Sequence, residues 1–209
     1  MAIDDLLDEH EQGERVRAWL RSNGAGILGG LVLGLALIWG FRWWQDQQHA
    51  GRMAAGNNYQ AAVDQLEAGK LAEAAPMVAA LPEGTYATLA ALELAEAQVE
   101  AGKRDDAIAT LRAADPTDPR LGGIVTERLA RLLVDAGKPA DALALLQGDS
   151  PGTLSIRGDA LAAQGDRDKA REAYAKALVG LEVGSPMRNV VELKLSEVGG
   201  APAQTEAGS

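Results

Sequence analysis

Residues able to do nucleophilic or metal chemistry are scarce in this chain. It has no cysteine and two histidines, His10 and His49. A long apolar segment separates the two, so they cannot share a site. The scarcity excludes a Ser-His-Asp triad and a His-rich zinc centre. Carboxylates are plentiful, 30 in all, and the pair Asp105-Asp106 is the obvious acid–base candidate. It opens a helical stretch, however, where negative charge favours the helix dipole. No strand leads into a glycine loop that could cradle phosphate. The expectation is a protein that is not an enzyme, with no catalytic residue, no cofactor and no metal.

Charge narrows the partners. The net charge is −10. Residues 45–209 hold 24 acidic and 16 basic residues, a net of −8. Such a surface repels nucleic acid and anionic lipid. It suits basic or apolar segments of other proteins.

The elements that must position any site begin with the apolar segment itself. Gly24 to Phe41 is eighteen residues without a charge. As a helix it spans about 27 Å, close to the hydrocarbon thickness of a bilayer. A signal peptide has a basic start and a shorter apolar stretch. Here the preceding residues are acidic: Asp4, Asp5, Asp8, Glu9, Glu11 and Glu14. A soluble core helix would carry polar positions at helical spacing, and this one carries none. All four tryptophans, Trp19, Trp39, Trp43 and Trp44, lie at the ends of the segment with Phe41, as interfacial aromatic belts do. The segment reads as a permanent transmembrane anchor.

Arg15, Arg17 and Arg21 precede the anchor, and Arg42 and Arg52 follow it. Positive charge is retained in the cytoplasm. The expected topology is single-pass type II, with the N-terminus cytoplasmic and the remainder periplasmic. The absence of cysteine is compatible with that compartment. Within the anchor, Gly26, Gly30 and Gly34 recur every four residues on one face. Small residues let helices approach closely in lipid, so this face is a candidate packing surface.

Beyond the anchor the chain repeats. Gly69, Gly102, Gly137 and Gly165 are separated by 33, 35 and 28 residues. An alanine follows each by five (Ala74, Ala107, Ala142, Ala170). A small residue precedes each by seven (Ala62, Ala95, Ala130, Gly158). A large apolar residue follows each by nine (Val78, Leu111, Leu146, Tyr174). Glycine ends one helix and turns the chain into the next. The small residues fit where antiparallel helices cross, and the large one fills the space between pairs. Such pairs stack into a solenoid.

The spacing predicts helix pairs: one ending near Ala68 with Leu71–Leu81, Thr85–Ala101 with Arg104–Ala114, Gly122–Ala136 with Pro139–Gln147, and Thr153–Gln164 with Arg167–Leu181. Pro186–Val198 is the expected cap. The anchor helix is expected to run on past Trp44 toward Leu66. The expected fold is all-α, a transmembrane helix followed by a tetratricopeptide-like solenoid. Its expected segments are 1–23 cytoplasmic, 24–44 transmembrane, 45–198 periplasmic repeats and 199–209 a disordered tail.

Solenoids of this kind bind along the face made by their first helices. Counted from the repeat glycines, that face presents Leu92, Glu96 and Val99, then Glu127, Arg131 and Val134, then Ser155, Asp159 and Ala162. Charged and apolar groups mix there, which suits an extended or helical protein segment.

Several runs together resemble a known family. They are Trp19-Leu20-Arg21-Ser22-Asn23-Gly24, Gly40-Phe41-Arg42-Trp43-Trp44 and the stretch from Tyr86 to Ala95. Arg128-Leu129-Ala130-Arg131 and Ile156-Arg157-Gly158-Asp159-Ala160-Leu161 complete the set. This pattern resembles the YfgM family, ancillary subunits of the bacterial SecYEG translocon. The resemblance implies a single-pass inner-membrane protein with a periplasmic tetratricopeptide-like domain. It implies association with SecYEG and the membrane-anchored chaperone PpiD, and handling of translocating polypeptides. The family offers no catalytic residue to carry over. The alternative from the bare residues is a membrane-anchored scaffold for another envelope complex, such as cytochrome c maturation.

Overall fold

The computed structural model describes residues 2–201, with side chains described from residue 13 onward. The expectations attached to His10, to the carboxylates before residue 13 and to the tail beyond residue 201 lie outside the described residues. Among the described residues every regular element is an α-helix, so the fold is all-α. The chain divides into two units, Met1–Ala54 and Ala55–Ser209.

The first unit is helical throughout its described length. Its helix, α1 (Ala2–Glu67), runs on into the second unit. It is long and apolar enough to cross a membrane, and none of its most apolar stretch is buried. Leu28, Val32, Leu35 and Trp39 are all exposed. So large an uncovered apolar surface is out of place in water and suits lipid. The rings of Phe41 and Trp44 lie 6.0 Å apart and tilted by 41°.

The second unit is an array of helical hairpins. The end of α1 packs with α2 (Leu71–Ala79) through Ala62, Leu66, Ala74 and Val78. Then α3 (Thr85–Glu100) pairs with α4 (Arg104–Ala113), and α5 (Pro119–Asp135) with α6 (Pro139–Leu145). Next, α7 (Pro151–Ala163) pairs with α8 (Arg167–Val179), and α9 (Pro186–Glu197) covers α8. The core is three successive clusters, centred on α2 and α3, on α4 to α6, and on α8 with α9.

The hairpin turns are built alike. Gly69, Gly102, Gly137 and Gly165 take φ of 71°, 73°, 71° and 84°. At the second turn the Lys103 N–H donates to the Gln98 carbonyl at 2.8 Å and the Gly102 N–H to Val99 at 2.9 Å. The same pair of bonds recurs at the other three. This is a Schellman cap, and only glycine enters its left-handed residue cheaply. The repeated small residues are all buried, as are Val78, Leu111, Leu146 and Tyr174. Each lies at a helix crossing or between pairs, so the spacing in the sequence reports the packing directly.

Two helices begin earlier than the periodicity predicts, α5 at Pro119 rather than Gly122 and α7 at Pro151 rather than Thr153. Proline has its φ already set for the first helical position and lacks the N–H that would go unpaired there. The residue before it caps: Asp118 accepts from the Arg120 N–H, and Ser150 from the Thr153 N–H. The short last interval is shared between α6, 7 residues long against 10 for α4, and α7, 13 against 17 for α5. In this part of the array α7 lies more extensively against α5 than α5 does against α3.

Candidate functional site

Between α3 and α5 the array leaves a cleft of about 380 Å³. Leu92, Glu96 and Val99 from α3 line one wall, and Arg128, Arg131 and Leu132 from α5 the other. Leu92 and Leu111 are buried at its base, whereas Val99 is 41% exposed. The Arg128 guanidinium crosses the cleft to Glu96, with Nη1 to Oε2 at 3.2 Å. At one end the Arg104 guanidinium donates to the Asp135 carbonyl at 3.3 Å, where α5 runs out of internal partners for its carbonyls. The cleft therefore has an apolar floor and rims carrying both signs of charge. It can hold the apolar side chains of another polypeptide and pair with that chain's charged groups.

Four of the residues expected on this face, Leu92, Glu96, Val99 and Arg131, come together in the cleft. The others serve the contacts between hairpins. The Glu127 carboxylate accepts from the hydroxyls of Ser150 at 3.0 Å and Thr153 at 3.1 Å. It lies over the start of α7, and a Cβ on Gly152 would sit 2.7 Å from its oxygens. Negative charge over a helix start is favourable, so Glu127 ties α5 to α7. Val134 packs against the middle cluster, Ala162 against the last one, and Ser155 is only 4% exposed.

Asp159 is held from two sides. Its Oδ1 accepts from the Tyr174 hydroxyl at 2.7 Å and its Oδ2 from Lys194 Nζ at 2.7 Å. These bonds join α7, α8 and α9. Burial raises the Tyr174 pKa, and the hydrogen bond to Asp159 raises it further. The Tyr174 ring lies on Gly158, where a Cβ would overlap it. The small residue at this crossing is thus glycine and not alanine because the facing residue is aromatic.

Arg128, Glu100 and Asp135 line the cleft without having been expected there. One signal for Arg128 exists in the sequence: it stands close to one repeat period after Glu96. In the first unit, Gly26, Gly30 and Gly34 form an open face. A Cβ on any of them would meet nothing within 4 Å.

A family model described as a tetratricopeptide repeat-like domain matches residues 17–200. The chain is 32% identical over 200 residues to a protein of Escherichia coli (strain K12) named ancillary SecYEG translocon subunit. That match covers 91% of this chain and 97% of the relative. A protein of the same name from Haemophilus influenzae (strain ATCC 51907 / DSM 11121 / KW20 / Rd) is 27% identical over 181 residues. It covers 82% and 89% of the two chains.

Proposed function

The chain belongs to the tetratricopeptide repeat-like family of ancillary SecYEG translocon subunits, and from that membership we propose that it is a non-enzymatic inner-membrane adaptor at that translocon. It carries contacts with PpiD and with polypeptides emerging from translocation. Residues 1–23 are cytoplasmic, 24–44 cross the membrane, and 45–198 form the periplasmic domain, followed by the tail 199–209. The name of the relatives supports the translocon as partner. The excess of arginine before the anchor supports the orientation.

One observation carries the binding role. Leu92, Glu96, Val99 and Arg131, related by the repeat, line a single cleft with an apolar floor and mixed charge at its rim. Glu127, Val134, Ser155 and Asp159 act indirectly, by fixing α5 and α7 beside it. The open face of Gly26, Gly30 and Gly34 packs against another membrane helix.

The test is recovery of PpiD with the full-length chain in mild detergent. Exchanging the charges, Glu96→Lys with Arg131→Glu, changes two exposed side chains and leaves the fold intact by thermal unfolding. PpiD recovery falls at least fivefold. Recovery equal to that of the parent chain rules the cleft out as the contact.

A further inference from the structure

A second cleft opens elsewhere on the array, between α2 and α4, with α3 as its floor. Its volume is about 460 Å³, within the size range of ligand pockets, roughly 300–1,000 Å³. Helix α3 serves both clefts with different faces. Ala87, Ala91, Leu94 and Gln98 line this one, while Leu92, Glu96 and Val99 line the other. At 3.6 residues per turn the two sets point roughly 140° apart around α3. An occupant of one leaves the other open.

The cleft stays open because alanines line it on every side: Ala75 and Ala79 from α2, Ala113 and Ala114 at the end of α4, and Ala87 and Ala91 on the floor are too short to fill it. At its base Gln98 is only 8% exposed. The Thr110 hydroxyl donates to its Oε1 at 2.8 Å. The other end of the amide has no hydrogen-bond partner among the described residues. A hydroxyl can donate or accept, so turning the amide over leaves the same deficit. That end of the amide is open to the cleft rather than enclosed. It is satisfied by a polar group brought into the cleft. At the mouth, Glu83 and Asp115 are exposed. Neither makes an ion pair among the described residues.

We propose that the α2–α4 cleft is a second docking site, for a polypeptide segment that presents a bulky apolar side chain beside a lysine or arginine. The apolar side chain fills the space between the alanine walls. A backbone carbonyl or amide of the segment completes the hydrogen bonding of Gln98. The cation sits between Glu83 and Asp115. An acidic segment is repelled, because the mouth and the domain around it are negative. The inference is independent of the α3–α5 cleft, and the two sites together let one chain hold two partners at once.

The probe is a short peptide with one leucine between two lysines in a glycine–serine background. It is titrated into the nitrogen-15-labelled full chain in non-ionic detergent, and the side-chain amide signal of Gln98 is followed. Saturable shifts at Gln98 and Ala91 are expected. They weaken at least tenfold when the leucine is replaced by serine, or the lysines by glutamate. Ala113→Trp, a change at an exposed mouth position, abolishes them, and Glu96→Lys with Arg131→Glu leaves them unchanged. Shifts confined to the α3–α5 cleft overturn the proposal. So do equal binding of the glutamate peptide, insensitivity to Ala113→Trp, and the absence of any saturable shift.

Discussion

Arg128 of α5 and Glu96 of α3 meet across the cleft at 3.2 Å, and both side chains are about half exposed. An ion pair this wet gains little from its charges, typically under about 1 kcal/mol. Glu96→Gln is therefore expected to change stability by less than that. A double-mutant cycle with Arg128→Gln, read by urea unfolding, gives a coupling in the same small range. A larger coupling means that the pair is structural and is not available to a partner.

Gly158→Ala puts a methyl group into the Tyr174 ring. Overpacking of this kind costs about 1–3 kcal/mol. Gly56→Ala is the comparison, because its Cβ would only touch the edge of Tyr86 at 3.4 Å. Urea unfolding should separate the two clearly, with Gly56→Ala close to the parent.

Stability should fall in alkali, and Tyr174 should be a main cause. Its pKa is raised in the folded state, so the unfolded chain loses this proton first. The stability is fully present below about pH 10 and is lost as pH rises through the folded value. The slope reaches about 1.4 kcal/mol per pH unit for one such group. Tyr59 is raised as well, by burial and then by Glu93. Unfolding measured near pH 8 and near pH 10.5 should show the loss, and Tyr174→Phe should reduce it.

Much of the array was legible because its signals are local. Gly137 needs its left-handed φ whatever its distant neighbours are, and Ala130 seven residues earlier faces the partner helix of its own hairpin. The contacts between hairpins were not legible. Glu127 reaches Ser150 and Thr153, and Asp159 reaches Tyr174 and Lys194. Those meetings depend on the rotation from one hairpin to the next, which no spacing within a hairpin encodes. The 28-residue interval was visible in the sequence, but its effect was not. Within it α7 packs closely on α5, and Ser155 is buried there, out of reach of a partner on that face.

Orientation is testable with single cysteines in this cysteine-free chain. Ser155 is buried and would report poorly, so the reporter belongs at Ser196, which is exposed on α9, with Ser22 on the other side of the anchor. A membrane-impermeant maleimide on cells with a permeabilised outer membrane should label Ser196→Cys. It should label Ser22→Cys only after the inner membrane is broken. The reverse pattern contradicts the proposed topology.

The most direct test of the adaptor role is the enrichment of SecY with the affinity-tagged full-length chain from gently solubilised membranes. It is measured against equally abundant inner-membrane proteins of other complexes. The account predicts SecY enriched at least tenfold over them, and enrichment reduced by Gly30→Leu while membrane insertion is unchanged. SecY recovered only at the level of those unrelated proteins would contradict it.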